Sequence, residues 1–226
     1  MKKLWLLGAA LVGSMVLTSP AHAFLLDGFG DDQAEIEATA TSSPASSGFT
    51  AISDTDLTNA KRSLTVTQEG GPDDEGGSVT ANVSRGAYNY SQDVLTWGTG
   101  TVDWTFDDQE LTSPILLAVN ILQADNPNGE LTMTLSGTAG SYSQTLSLPE
   151  VDPSAPQSLL FDIGGFADGT AFNAASLYID GTNSSALDVS VDFIEVPAPG
   201  VLGLLGIGLG GLAFAARRRR DPQIKA

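Results

Sequence analysis

No cysteine occurs in the 226 residues, and the single histidine is His22. Disulfides, thiolate nucleophiles and thiolate zinc sites are therefore excluded, as is a lipoprotein, whose lipid anchor needs a cysteine at the cleavage site. Positive charge is almost as scarce. Between Phe24 and Val196 the basic residues are Lys61, Arg62 and Arg85, against 26 carboxylates, a net charge near −23. A surface of that sign repels nucleic acid and anionic lipid, so no nucleic-acid partner is expected. Solubility explains such acidity most simply, and binding of divalent cations is compatible with it. Long helical periodicity is missing from the middle of the chain, and strongly apolar runs are confined to its two ends.

The ends carry addresses rather than fold. Residues 1–23 read as a signal peptide. Lys2 and Lys3 precede an uncharged run from Leu4 to Leu17, and Ala21 and Ala23 stand where signal peptidase requires small residues. The run is too short for the ~20 residues of a spanning helix, so cleavage after Ala23 is expected. Signal peptidase and the Sec translocon are the implied partners. Cleavage would also remove His22, leaving a mature chain without histidine and without Ser-His-carboxylate triads. At the other end, residues 196–226 begin Val196-Pro197-Ala198-Pro199. An uncharged, glycine-rich span follows over residues 200–216, and then Arg217, Arg218, Arg219 and Arg220. The span is at the lower limit for crossing a bilayer, and four arginines behind it place the tail in the cytoplasm and residues 24–195 outside. Pro197 and Pro199 hold the junction extended, ready for a protease at the outer face.

That three-part order resembles the PEP-CTERM sorting signal, the tail read by exosortases in Gram-negative bacteria. Ala198 departs from the usual Pro-Glu-Pro core, which makes this a Pro-Ala-Pro variant. The resemblance implies a type I precursor held transiently in the inner membrane, an exosortase as partner, and later transfer to the cell surface or extracellular matrix. It also implies an association with exopolysaccharide and biofilm.

Residues 24–195 show about ten short segments of period-two alternation, rich in Thr, Val, Leu, Tyr and Phe. In the clearest, Leu187, Val189, Val191 and Phe193 fall on one face and Asp188, Ser190 and Asp192 on the other. Ser78 to Tyr90 and Val94 to Trp97 are two more. Asn128-Gly129 is a hairpin signal, and Gly140, Asp168-Gly169 and Asp180-Gly181 mark other turns. Short strands without intervening helices predict an all-β fold, an antiparallel β-sandwich or jelly roll. Residues 39–48 are rich in Ser, Thr, Ala and Pro and read as a flexible loop. Residues 69–77 read as an acidic, glycine-rich loop.

Leu26-Asp27-Gly28-Phe29-Gly30-Asp31-Asp32-Gln33, the segment Lys61 to Val66 and the closing segment Ala186 to Glu195 resemble a recurrent ectodomain of PEP-CTERM proteins. Its pattern is similar to galactose-binding-like jelly rolls. That likeness implies a structural Ca²⁺ between the first segment and the last strand, which needs six to eight oxygen ligands. Asp27, Asp31, Asp32, Asp192 and Glu195 are the candidates, with Asp73-Asp74-Glu75 and Asp125 with Glu130 as lesser ones. No other cofactor is implied.

Trp97 and Trp104 are candidates for stacking on sugar rings, alongside Tyr88 and Tyr90, although aromatics in strands also serve as core. Two carboxylates facing a cleft would suffice for glycoside hydrolysis, but among 26 acids any chosen pair is arbitrary. The sequence thus points to a non-enzymatic, exported surface or matrix protein. A carbohydrate-binding or adhesive module is the alternative, with extracellular polysaccharide as partner, and a polysaccharide-active hydrolase comes third.

Overall fold

The computed structural model describes residues 24–71, 77–184 and 186–197. Residues 1–23, expected to be a signal peptide, the tail from Ala198 onward (the 200–216 span and Arg217–Arg220 included) and Asp73-Asp74-Glu75 lie outside the described residues. The strands are β1 (Phe24–Asp27), β2 (Gln33–Thr39), β3 (Ala45–Ser46), β4 (Thr50–Ala51), β5 (Lys61–Gly70), β6 (Ser78–Ser84) and β7 (Ala87–Gln92). They continue with β8 (Trp97–Leu111), β9 (Ile115–Ala124), β10 (Glu130–Gly137), β11 (Gly140–Ser147), β12 (Gln157–Ile163), β13 (Thr170–Asp180) and β14 (Asp188–Val196). Every pairing is antiparallel.

Two seven-stranded sheets result. One runs β12-β9-β14-β7-β6-β2, with β1 added along the end of β14; the other runs β11-β10-β13-β8-β5-β3, with β4 also on β5. Their inner faces form one core in which Val79, Tyr88, Tyr90, Val119, Ile121 and Val191 of the first sheet meet Leu64, Val102, Trp104, Met133, Leu135 and Leu177 of the second. This is the expected antiparallel β-sandwich, and alternation is why the sequence folds so: each strand has one apolar face to bury. Two inward positions of β8 are glycines. A Cβ on Gly100 would meet the Tyr90 ring at 2.5 Å and the Tyr88 hydroxyl at 3.0 Å, so its absence is what lets those two tyrosines lie between the sheets.

The fold departs from the sequence reading at five places. Ser78 to Tyr90 is not one strand but a hairpin, broken at Arg85 (φ 57°) and Gly86 (φ 76°). Val94 and Leu95 form a turn, and strand begins only at Trp97. Asn128-Gly129 carries the chain from β9 in one sheet to β10 in the other, so it is a crossover and not a hairpin turn. In residues 39–48, read as flexible, Ala45 and Ser46 pair with Val66 and Thr65 of β5. Finally, register shifts along β14 re-phase its alternation, so that Ile194 is fully buried and Phe193 only partly. A bulge inserts one residue, which a strict period of two does not anticipate.

Phe24 pairs with Val196. Phe24 and Val196 therefore lie side by side at the C-terminal end of β14.

Candidate functional site

Strand alternation that buries Val79, Ala81 and Val83 of β6 necessarily turns Asn82 and Ser84 outward, and the same holds for Asn89 of β7 and Ser190 of β14. Register aligns them. Asn82 faces Asn89 and Asn89 faces Ser190 across neighbouring strands. Together with Ser84, Arg85, Leu122, Gln123 and Pro153 they line a groove of about 700 Å³ on the outer face of the first sheet.

The side chains in this groove hold one another in place. Asn89 Nδ2 donates to Asn82 Oδ1 at 3.1 Å, to the Ala87 carbonyl at 3.1 Å and to Ser84 Oγ at 3.4 Å. Ser190 Oγ donates to Asn89 Oδ1 at 2.8 Å, and Asn82 Nδ2 donates to Glu35 Oε2 of β2 at 3.3 Å. The line continues on the far side of β14, where Asn120 Nδ2 donates to Asp192 Oδ2 at 3.2 Å and Ser158 Oγ donates to Asn120 Oδ1 at 3.2 Å. Polar groups thus cross all six strands of the sheet path, from Glu35 on β2 to Ser158 on β12. Amide and hydroxyl groups that are pre-oriented and only part-buried suit a ligand rich in hydroxyls, because each presents further donor and acceptor capacity to the groove. Arg85 brings a cation to an otherwise acidic domain. A second hollow of about 390 Å³ shares Gln123 and Pro153 with the first and adds Asp125, Glu150 and Asp152.

The sequence-expected residues lie elsewhere. Trp104 is 1% exposed, and its Nε1 donates to Asp27 Oδ2 at 2.7 Å inside the core, so it has no face to offer a sugar. Tyr88 and Tyr90 are equally buried, and burial pushes both hydroxyls up in pKa. Trp97 is 41% exposed but stands on the second sheet, away from the groove. Sequence reading missed Asn82, Asn89 and Ser190 because Asn and Ser on an outward strand face look like ordinary solvation. Their register with one another, which sets them apart, exists only once β6, β7 and β14 are paired.

The first and last strands are neighbours, as the calcium reading required, and of its carboxylates Asp27, Asp31 and Asp192 accept hydrogen bonds from protein donors. Asp27 Oδ1 accepts from Phe29 N at 2.8 Å, and Asp27 Oδ2 accepts from Arg62 Nη1 and Trp104 Nε1, both at 2.7 Å. A guanidinium stands against the carboxylate where a metal would have to bind. Asp31 accepts from the Ser53 and Asp54 backbone N–H groups, which hold its carboxyl below the ordinary range. Asp32 is exposed, Asp192 takes the Asn120 amide, and Glu195 sits opposite Leu25 of β1. Among the described residues no group of three acidic side chains gathers as a metal ion needs. Asp125 accepts from the Asp188 backbone N–H instead of joining Glu130.

No protein-family model matches the chain, and no curated protein matches it. Solved structures do. A family 11 carbohydrate-binding module of a cellulosomal cellulase from Clostridium thermocellum shares 12% identity at a TM-score of 0.41, over 80% of this chain and 97% of that one. A carbohydrate-binding module specific for non-crystalline cellulose shares 11% identity at 0.38, over 51% of this chain and 78% of that one. A mutant family 29 carbohydrate-binding module shares 11% at 0.34, over 53% and 76%. At such distances function has to be read from this chain's own side chains.

Proposed function

We infer that this chain is an exported, non-catalytic protein whose sandwich binds polysaccharide in the groove of Asn82, Asn89 and Ser190. One observation carries this reading: the hydrogen-bonded line of amides and hydroxyls runs across the strands inside a concave, solvent-open groove. A sugar chain laid along it exchanges water for fixed partners without first ordering the protein, and so keeps more of its binding energy. Acidic groups border the groove at Asp125, Glu150 and Asp152, which favours neutral chains over uronate-rich ones.

The test is affinity electrophoresis and calorimetry of the full-length chain against a panel of soluble neutral and uronate-containing polysaccharides. Asn89→Ala removes the hub of the line and should weaken binding about tenfold, equal to about 1.4 kcal/mol. Binding that is unchanged in folded Asn89→Ala protein would reject the groove.

The export half of the reading rests on the two apolar ends, with the exosortase route as its finer form. Mass spectrometry of the protein from its native host should find a chain beginning at Phe24 and ending near Pro197-Ala198-Pro199. An intact Met1 or an intact arginine tail in the surface fraction would refute it.

A further inference from the structure

The outer face of the second sheet, opposite the groove, carries hydroxyls in register. One row reads Ser46 on β3, Thr65 on β5, Thr101 on β8, Tyr178 on β13, Thr132 on β10 and Thr145 on β11, each directly opposite the next. The row beside it reads Ser63, Asp103, Ser176, Thr134 and Ser143. Of these eleven side chains Ser63 is buried, and the ten that are at least partly exposed comprise eight aliphatic hydroxyls, one tyrosine and one carboxylate. No bulge interrupts the pairing at these positions, so both rows keep their register across the strands. The orientation is fixed from both sides. Gly98 and Gly100 of β8 point at core atoms of Val79, Tyr88 and Tyr90, which sends Trp97, Thr99 and Thr101 outward.

Within the two rows Asp103 is the one carboxylate, and the row flanking the first on the same face pairs Asp180 with Glu130, so the face repels anionic chains and suits a neutral one. Strands stand about 4.8 Å apart, so the first row offers one hydroxyl per step over five steps, about 24 Å in all. That repeat is close to the advance of one sugar unit in an extended β-1,4-linked glycan. Tyr178, partly exposed at mid-row and hydrogen-bonded by Thr99, supplies an aromatic plane on which one ring can stack. Trp97 adds a second plane on the same face, four residues back along β8 from Thr101 and so about 13 Å away.

We propose that this face is a second glycan-binding surface, which takes a single extended, neutral β-1,4-linked chain lying at right angles to the strands, one sugar unit per strand, with a ring stacked on Tyr178. It stands apart from the groove reading, since it lies on the other side of the sandwich and uses none of its residues. With both sites filled, one molecule would join two polysaccharide chains.

Calorimetry of the full-length chain with cello- and manno-oligosaccharides of two to eight units tests it. Affinity should climb with length to about six units and then level off, while α-1,6-linked dextran, whose chain does not extend, should not bind. Tyr178→Ala should lower hexasaccharide affinity at least tenfold. Thr101→Val and Thr132→Val, which keep shape and strand preference, should each lower it several-fold, and the Tyr178→Ala loss should persist in an Asn89→Ala background. Loss in Asn89→Ala with retention in Tyr178→Ala would assign all binding to the groove and overturn the proposal. So would absence of binding to both oligosaccharide series, or a self-association that Tyr178→Ala abolishes without any sugar present.

Discussion

Arg62→Met should destabilise the sandwich by about 3–5 kcal/mol, the cost of leaving a buried carboxylate without its partner. Arg62 and Asp27 are 1% and 0% exposed, and 2.7 Å separates Nη1 from Oδ2. The guanidinium does more than neutralise. Its Nε donates to Gln33 Oε1 at 3.1 Å, its Nη2 to the Asp31 carbonyl at 2.5 Å, and its carbon lies 5.3 Å from the centre of the Phe29 ring. One side chain on β5 thereby fastens β1, β2 and the loop between them, all on the first-sheet side, to the second sheet. Denaturant unfolding of Arg62→Met, Asp27→Asn and the double variant gives the measurement. The double should cost less than the two singles added, because it leaves no charge alone in the core. Strict additivity would show that the two residues act independently and that the pair is not what joins the sheets.

The same pair has a pH signature. Burial pushes the Asp27 carboxyl above its ordinary 3.8, against the pull of Arg62 and of the Trp104 and Phe29 N–H groups. A carboxyl raised in the fold binds its proton more tightly there than in the unfolded chain. Its own contribution to stability is therefore fullest below its ordinary pKa and declines as pH rises through the folded value. Without Arg62 the carboxyl moves higher still. The gap in stability between Arg62→Met and the parent should therefore narrow as pH falls and the carboxyl becomes neutral. A gap that does not change with pH would mean that lost packing, not an unpaired buried charge, sets the cost.

Alternation made the sandwich legible in the sequence, since period two needs only knowledge of neighbours along the chain. Leu131, Met133 and Leu135 turn inward as their spacing demands. What failed needed knowledge of neighbours across space. Asn128-Gly129 has the chemistry of a hairpin turn, but the next strand joins the other sheet, a choice made by the core and not by the turn. Asp27 looks like any acid in an Asp/Gly-rich segment until Arg62, 35 positions later, is seen opposite it. The groove and the hydroxyl rows were hidden for the same reason. Asn82 and Asn89 gain meaning from a hairpin at Arg85-Gly86 that the sequence reading ran straight through. The row through Tyr178 draws on six strands whose order along the sheet does not follow their order in the chain.

Trp104 is where that distinction has the largest measurable consequence, because the sequence allows it to be a sugar platform and the fold makes it a core residue. Trp104→Ala should cost about 3–5 kcal/mol through the cavity left between the sheets. Its ring packs 6.3 Å from that of Phe29, and its Nε1 is one of the two donors on Asp27 Oδ2. Trp104→Phe fills much of the volume but removes that donor, so it should still cost about 1–3 kcal/mol, the penalty of an under-satisfied buried acceptor. Glycan affinity, expressed per folded molecule, should not change in either variant. Trp97→Ala should do the reverse, with little effect on unfolding because the side chain is 41% exposed. Chemical unfolding and oligosaccharide calorimetry on the three proteins separate the roles. Weaker binding by stably folded Trp104→Phe would mean that the aromatic core communicates with a sugar-binding face. Unchanged stability in Trp104→Ala would contradict the inter-sheet cluster of Asp27, Arg62 and Trp104 itself, on which the Arg62 prediction also depends.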